Sequence, residues 1–299
     1  MPITVEPITE NFAAEIGDLD LSKPVSAEDL ADVRAAFATY AVVVIGGQEL
    51  TDEAQMAFAS HFGPLETTVF SVRKGEKLRL HRNMADVSNL DPEGKVWSAE
   101  SRQRLYQLGN RLWHTDSSFK RLPAYASMLY AKSIAPIGGH TEFADLRAAY
   151  DALPEETKRR VVGKTVLHSI MTSRAKLGFS DWSPEELEAF RPVPQVLCRT
   201  LPDSGRTSLY LASHAGDIVG MDKAEAVALL EELTRHATQR QFVYTHRWRV
   251  GDLVIWDNRC TMHRGTAFDD VRWRRDVRRA TVSDVAPTCE QNGIAVAAE

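Results

Sequence analysis

The feature that most constrains this chain is a series of short β-rich runs set apart by long helical excursions. Strand-like runs fall at 126–134, 208–212, 242–248, 252–257 and 276–283, and Tyr40–Ile45, closed by Gly46-Gly47, reads as an earlier buried strand. Helical spacing lies between them. Ser26 with Asp29 begins a helix carrying Leu30, Val33 and Phe37, and Thr51 begins another carrying Met56, Ala59 and Phe62, stopped by Gly63-Pro64. Residues 145–162 read as two short helices broken at Pro154, Ser183–Phe190 opens as a helix start, and 222–236 places Ala226, Leu229, Leu230 and Leu233 on one side. Short strands with long excursions predict a sheet sandwich or barrel with helices inserted or packed outside. No Gly-x-Gly-x-x-Gly follows a strand and no Gly-x-x-x-x-Gly-Lys occurs, so phosphate-cradling loops are not expected.

Composition narrows the class. A chain of 299 residues buries roughly 75% of its unfolded surface and needs no covalent staples. Cys198, Cys260 and Cys289 are far apart and form no CxxC pair, which argues against a disulfide scaffold or a cysteine-zinc site and fits a reducing cytoplasm. The longest apolar run, Ala41–Ile45, is far short of the roughly 20 residues of a membrane span, and the acidic N-terminus has no basic n-region. A net charge of −5 argues against bulk binding to nucleic acid or anionic membrane. The expectation is one domain over 1–285, a disordered tail over 286–299, and a cytoplasmic protein that assembles as a homo-oligomer.

Two His-x-acid pairs stand out among the nine histidines: His114 with Asp116, and His140 with Glu142. On a strand, positions i and i+2 share a face, so either pair offers an imidazole and a carboxylate to one metal. His263, in a polar Gly-containing loop after 253–257, is the best third donor. Two histidines and a carboxylate form the facial triad of non-haem Fe(II) oxygenases, with positions left open for a chelating cosubstrate and O2.

The segment 272–281 reads RWRRDVRRAT. As a strand it places Arg275, Val277 and Arg279 on one face and Arg274, Asp276 and Arg278 on the other. The first pair of arginines would lie about 13 Å apart, at about 3.3 Å per residue. Buried guanidinium groups need anionic partners and suit bidentate carboxylate recognition, which points to two carboxylate-bearing small molecules.

Three blocks resemble the TauD/TfdA family of Fe(II)- and 2-oxoglutarate-dependent dioxygenases. They are Trp113-His114-Thr115-Asp116-Ser117-Ser118-Phe119, Gly138-Gly139-His140-Thr141-Glu142-Phe143-Ala144-Asp145, and Trp256-Asp257-Asn258-Arg259 continuing through His263-Arg264-Gly265 to Arg275 and Arg279-Ala280-Thr281. The resemblance runs from about Glu15 to Thr281, and the segments 147–154 and 234–248 resemble the aryloxyacetate-oxidising branch. It implies a mainly β fold with added helices, built on a double-stranded β-helix or jelly-roll core.

It further implies that His114, Asp116 and His263 hold iron, which sets His140 and Glu142 aside. Thr141 and Arg275 would bind the distal carboxylate of 2-oxoglutarate, and Arg279 the acid group of the substrate. Asn110, Ser117, Phe119 and His214 would line the substrate pocket. The register of the arginine strand also allows Arg274 with Arg278. Ser71 stands where the aryloxyacetate enzyme has a lysine. The implied reaction hydroxylates the carbon beside the ether oxygen of an aryloxyalkanoic acid, releasing a phenol and a 2-oxo acid with succinate and CO2. Alternatives are a dioxygenase of taurine or another small organic acid and, from a different class, a non-catalytic carboxylate- or metal-binding module.

Overall fold

The computed structural model describes residues 3–68 and 77–294. Its main sheet has seven strands in the order Thr4–Pro7, Ala13–Gly17, Val42–Ile45, Leu253–Asp257, Ala124–Ser133, Asp276–Ser283 and Met84–Asp86. Val42–Ile45 is apolar at every position because both faces are covered. Val43 and Ile45 pack with Met128, Ile255 and Val282 against the helices Ala27–Tyr40 and Asp52–Ser60, through Phe37 and Phe58. Val42 and Val44 point the other way, with Leu129, Val254, Trp256 and Val277, toward Phe143 of a second sheet. This alternation sets two sheets face to face in a jelly-roll core with helices outside.

The second layer contains a three-stranded sheet, Val243–His246, Thr141–Asp145 and Thr261–Gly265, and another of Ala215–Ile218, Thr165–His168 and Val193–Val196. Lys223–Ala237 covers it with Ala226, Leu229, Leu230 and Leu233, the face anticipated from their spacing. The caps follow the sequence: Ser26 Oγ accepts from the Asp29 amide at 3.0 Å, and Thr51 Oγ1 from the Ala54 amide at 3.1 Å. The first helix reaches Tyr40, inside the run read as a strand from Tyr40, and Ala41 leaves it at φ +62°, so the buried strand starts at Val42. Among the described residues no helix is long and apolar enough to cross a membrane.

The tail needs correction. Residues 288–291 form a helical turn whose Thr288 and Cys289 are buried. Thr288 Oγ1 donates to Gln195 at 2.6 Å and accepts from the Val196 amide at 3.1 Å, while Arg199 donates to Gln291 at 3.1 Å. These polar groups complete a buried strand edge, a tertiary requirement that composition does not show.

Candidate active site

His263 lies on the strand Thr261–Gly265, and His114 forms an isolated antiparallel bridge with it, through amide–carbonyl hydrogen bonds of 3.0 and 2.8 Å. Asp116 is not on a strand: the chain turns directly after it, with Ser117 at φ +52°. The i, i+2 argument therefore holds for the proximity of His114 and Asp116 but not for its cause. The turn is held from both ends. Thr115 Oγ1 donates to the carbonyls of Leu211 and Thr261, and Ser117 Oγ donates to Glu66 Oε2 at 2.6 Å.

The three donors are buried and their ligand atoms lie within 4.8 Å of one another. His114 Nε2 is 3.8 Å from Asp116 Oδ1, and His263 Nε2 is 3.8 Å from Asp116 Oδ2. The Leu112 carbonyl, 2.7 Å from His114 Nδ1, can only accept, so Nδ1 carries the proton and the Nε2 lone pair faces the cluster. Burial pushes both imidazoles below their ordinary pKa and keeps them neutral. Burial alone would raise the Asp116 carboxyl, but the charge of Arg279, with the Ser127 hydrogen bond, pulls it down to about 2. Two neutral imidazoles and an ionised carboxylate, with no thiolate among them, fit a divalent iron-type metal with open coordination positions.

Asp116 is positioned by residues whose role the sequence reading did not identify. Ser127 Oγ donates to its Oδ2 at 2.7 Å, and Asn258 Oδ1 accepts from its amide at 3.2 Å. Asn258 in turn donates to Ser127 at 3.0 Å and accepts from the Trp256 indole at 3.1 Å. The Trp256–Asn258 segment was visible as a motif, but its partner Ser127 lies on a separate strand.

Two clefts open to solvent meet at the cluster. His114, Asn110 and Arg279 line both. Arg275 lies in the first cleft, buried, and pairs with no described carboxylate. Its Nε has no partner, NH1 reaches only the Val87 carbonyl at 3.4 Å, and burial pulls its guanidinium down to about 10. Gly139, at φ +67°, lets the backbone pass beside it; a Cβ there would lie 3.4 Å from Arg275 Cδ and Nε. Thr141 lines the same cleft, and its Oγ1 accepts from the Trp248 indole at 3.0 Å.

The arginine register is the inward one anticipated for Arg275 and Arg279. Val277 between them is in the core, whereas Arg278 pairs with Asp52 and Asp276 outside and the Arg274 side chain is 56% exposed. Arg279 NH1 contacts Asp116 Oδ1 directly. His140 and Glu142 are not in the cluster: Glu142 pairs outward with Arg264 at 2.7 Å.

Ser117, Phe119 and His214 line the second cleft. Phe119 packs its ring 5.0 Å from that of His214, and His214 Nδ1 lies 2.9 Å from Ser173 Oγ. Arg174 and Glu66 line this cleft too and were missed. Ser71 lies outside the described residues.

Residues 4–281 match the family described as taurine catabolism dioxygenase TauD, TfdA family. The chain is 42% identical to the alpha-ketoglutarate-dependent 2,4-dichlorophenoxyacetate dioxygenase of Cupriavidus pinatubonensis, over 96% of this chain and 99% of that protein. It is 36% identical to the (S)-phenoxypropionate/alpha-ketoglutarate-dioxygenase of Sphingobium herbicidovorans, over 89% and 90% of the two chains. The crystal structure of AAD-2 in complex with Mn(II) and N-oxalylglycine superposes with a TM-score of 0.88 at 46% identity, covering 96% of this chain and 99% of that one. With its buried His-Asp-His cluster where two arginine-lined clefts meet, this chain belongs to the TauD/TfdA family of dioxygenases.

Proposed function

We propose that the protein is an Fe(II)- and 2-oxoglutarate-dependent dioxygenase that oxidises aryloxyalkanoic acids at the carbon beside the ether oxygen. The products are a phenol, a 2-oxo acid, succinate and CO2. The observation that carries this reading is Arg275: a buried guanidinium without a described acidic partner, lining one cleft together with Thr141 and with Arg279, which also lines the second cleft. Burying an unpaired charge is costly unless a ligand supplies the counterion. A dicarboxylate cosubstrate does so, and the two relatives named above carry both that cosubstrate and an aryloxy acid in their names. A sulfonate substrate has less support, because neither of those relatives is named for one.

His114, Asp116 and His263 would hold the iron, which when bound supplies the O2 activation that couples 2-oxoglutarate decarboxylation to hydroxylation. Arg275 donates to the distal carboxylate of 2-oxoglutarate. Trp248 occupies a lone pair of Thr141 Oγ1, so the Thr141 hydroxyl proton is free to donate to the same carboxylate. Asp116 stays ionised throughout the neutral range because the opposing charges hold it there. Arg279 lines both clefts and can pair with the substrate acid group once Asp116 is engaged by metal. Asn110, Phe119 and His214 shape the second cleft, which orients the carbon to be oxidised.

The test is an aerobic assay with Fe(II), 2-oxoglutarate and 2,4-dichlorophenoxyacetate, in which succinate and released phenol are measured together. Matched amounts are expected. Succinate without phenol would retain the dioxygenase and reject the substrate; sulfite from taurine would replace it with a sulfonate. Binding of 2-oxoglutarate without succinate, across a panel of organic acids, would leave a binding module.

A further inference from the structure

Three cations line the second cleft among the described residues: Lys120, Arg279 and Arg174. Lys120 is committed to Glu66 at 2.6 Å, and Arg279 contacts Asp116. Arg174 is only 4% exposed and pairs with no described carboxylate. Its NH1 donates to Ser173 Oγ at 3.0 Å, its guanidinium carbon lies 4.5 Å from the centre of the Tyr106 ring, and its Nε is buried without a partner. An arginine has five N–H donors, and a residue buried only for packing would have them met by protein.

The chain also makes room for this group. A Cβ on Gly109 would sit 2.2 Å from the Arg174 Cζ, so the short helical turn Leu108–Arg111 has to carry glycine there for the guanidinium to fit. Both Arg174 and Arg279 line the cleft, each has a buried Nε–H that no protein group accepts, and a carboxylate has two oxygens to take guanidinium donors. We propose that Arg174 is a second anchor for the substrate acid group, bracketing it with Arg279 and selecting organic acids over their neutral analogues. The inference rests on the reading of the two clefts as cosubstrate and substrate sites and adds a specificity-determining residue to it.

The experiment is anaerobic calorimetric binding of 2,4-dichlorophenoxyacetate and of its carboxamide to protein loaded with Fe(II) and 2-oxoglutarate. Arg174→Gln is expected to weaken the acid roughly ten- to hundredfold, the range for a hydrogen bond to a charged group, and the carboxamide less than twofold. Arg174→Lys, which restores the charge, should recover part of the loss. Gly109→Ala keeps the arginine but displaces its head, and should reproduce the selective loss if Arg174→Gln folds poorly. The 2-oxoglutarate requirement should stay within twofold in all three. Equal weakening of acid and carboxamide would make Arg174 a packing residue and overturn the inference, as would unchanged acid binding. If wild-type protein forms succinate but fails to bind the acid, the substrate reading falls and the inference with it; the dioxygenase stands.

Discussion

The Trp248 indole donates to Thr141 Oγ1 at 3.0 Å, and this contact fixes which way the threonine hydroxyl can donate. Trp248 follows the strand Val243–His246 that pairs with Thr141–Asp145, so the second sheet itself brings the two together. Replacing Trp248 with Phe removes one hydrogen bond worth about 1 kcal/mol. The KM for 2-oxoglutarate should rise about fivefold while the KM for the organic acid stays near wild type. Steady-state kinetics with each substrate varied in turn checks this.

Arg275 and Arg279 should separate in the same assay. Arg275→Ala should raise the need for 2-oxoglutarate tenfold or more, and Arg279→Ala should chiefly weaken the organic acid. Exchange of the two phenotypes would reverse the assignment of the clefts. A binding readout supports the kinetics: at a hundredfold excess over its Kd, 2-oxoglutarate should stabilise metal-loaded wild type by about 2.7 kcal/mol, and Arg275→Ala should lose most of that gain.

His114→Ala, Asp116→Ala and His263→Ala should each abolish turnover and Fe(II) binding. Full activity in any one would remove that residue from the ligand set. Their stabilities should differ. Deleting Asp116 leaves the partly buried Arg279 guanidinium without its carboxylate, so the metal-free Asp116 variant should lose about 1.5–3 kcal/mol by urea titration, and either histidine variant less.

His168 gives a pH dependence away from the iron site. It is fully buried, stacked at 6.0 Å on Tyr210, with Nδ1 3.0 Å from Ser118 Oγ and Nε2 unpartnered. Burial, with a smaller effect of Lys176, lowers its pKa to about 3. Above pH 6.5 the imidazole is neutral in both folded and unfolded chains, and its contribution is fully present. As pH falls from about 6.5 toward 3 the unfolded chain takes up a proton that the folded one refuses, so stability is lost. The slope approaches about 1.4 kcal/mol per pH unit for this one group. Urea unfolding at pH 7.5, 6.0 and 5.0 should show the decline, and His168→Asn should make it shallower by nearly one proton. An unchanged slope would mean that the imidazole is protonated inside the fold.

Much of the fold and site is legible in the sequence. Strand and helix periods placed Ala124–Ser133, Asp276–Ser283 and the apolar side of Lys223–Ala237, because alternation and 3.6-residue spacing are local properties. The same alternation put Arg275 with Arg279 on one face and Arg274 with Arg278 on the other. It favoured the Arg275 face as the inner one but also allowed the other. Packing decided that, when Val277 entered the core between the sheets and Arg278 met Asp52 on the helix outside.

His114 and Asp116 were equally matched with His140 and Glu142 by spacing alone; the resemblance favoured the first pair, and the bridge from His114 to His263 supplied the physical reason. Ser127, Trp248 and Arg174 carried no local signal, since a serine on a strand, a tryptophan and an arginine on a six-residue helix are ordinary there. Their roles arise from distant segments meeting: Ser127 at Asp116, Trp248 at Thr141, Arg174 against Tyr106 in the gap left by Gly109. The sequence by itself determined the residue types for a metal and two carboxylates. Only the tertiary structure decided which copies are buried together, because burial removes water and forces each charge and lone pair to find its partner in the fold.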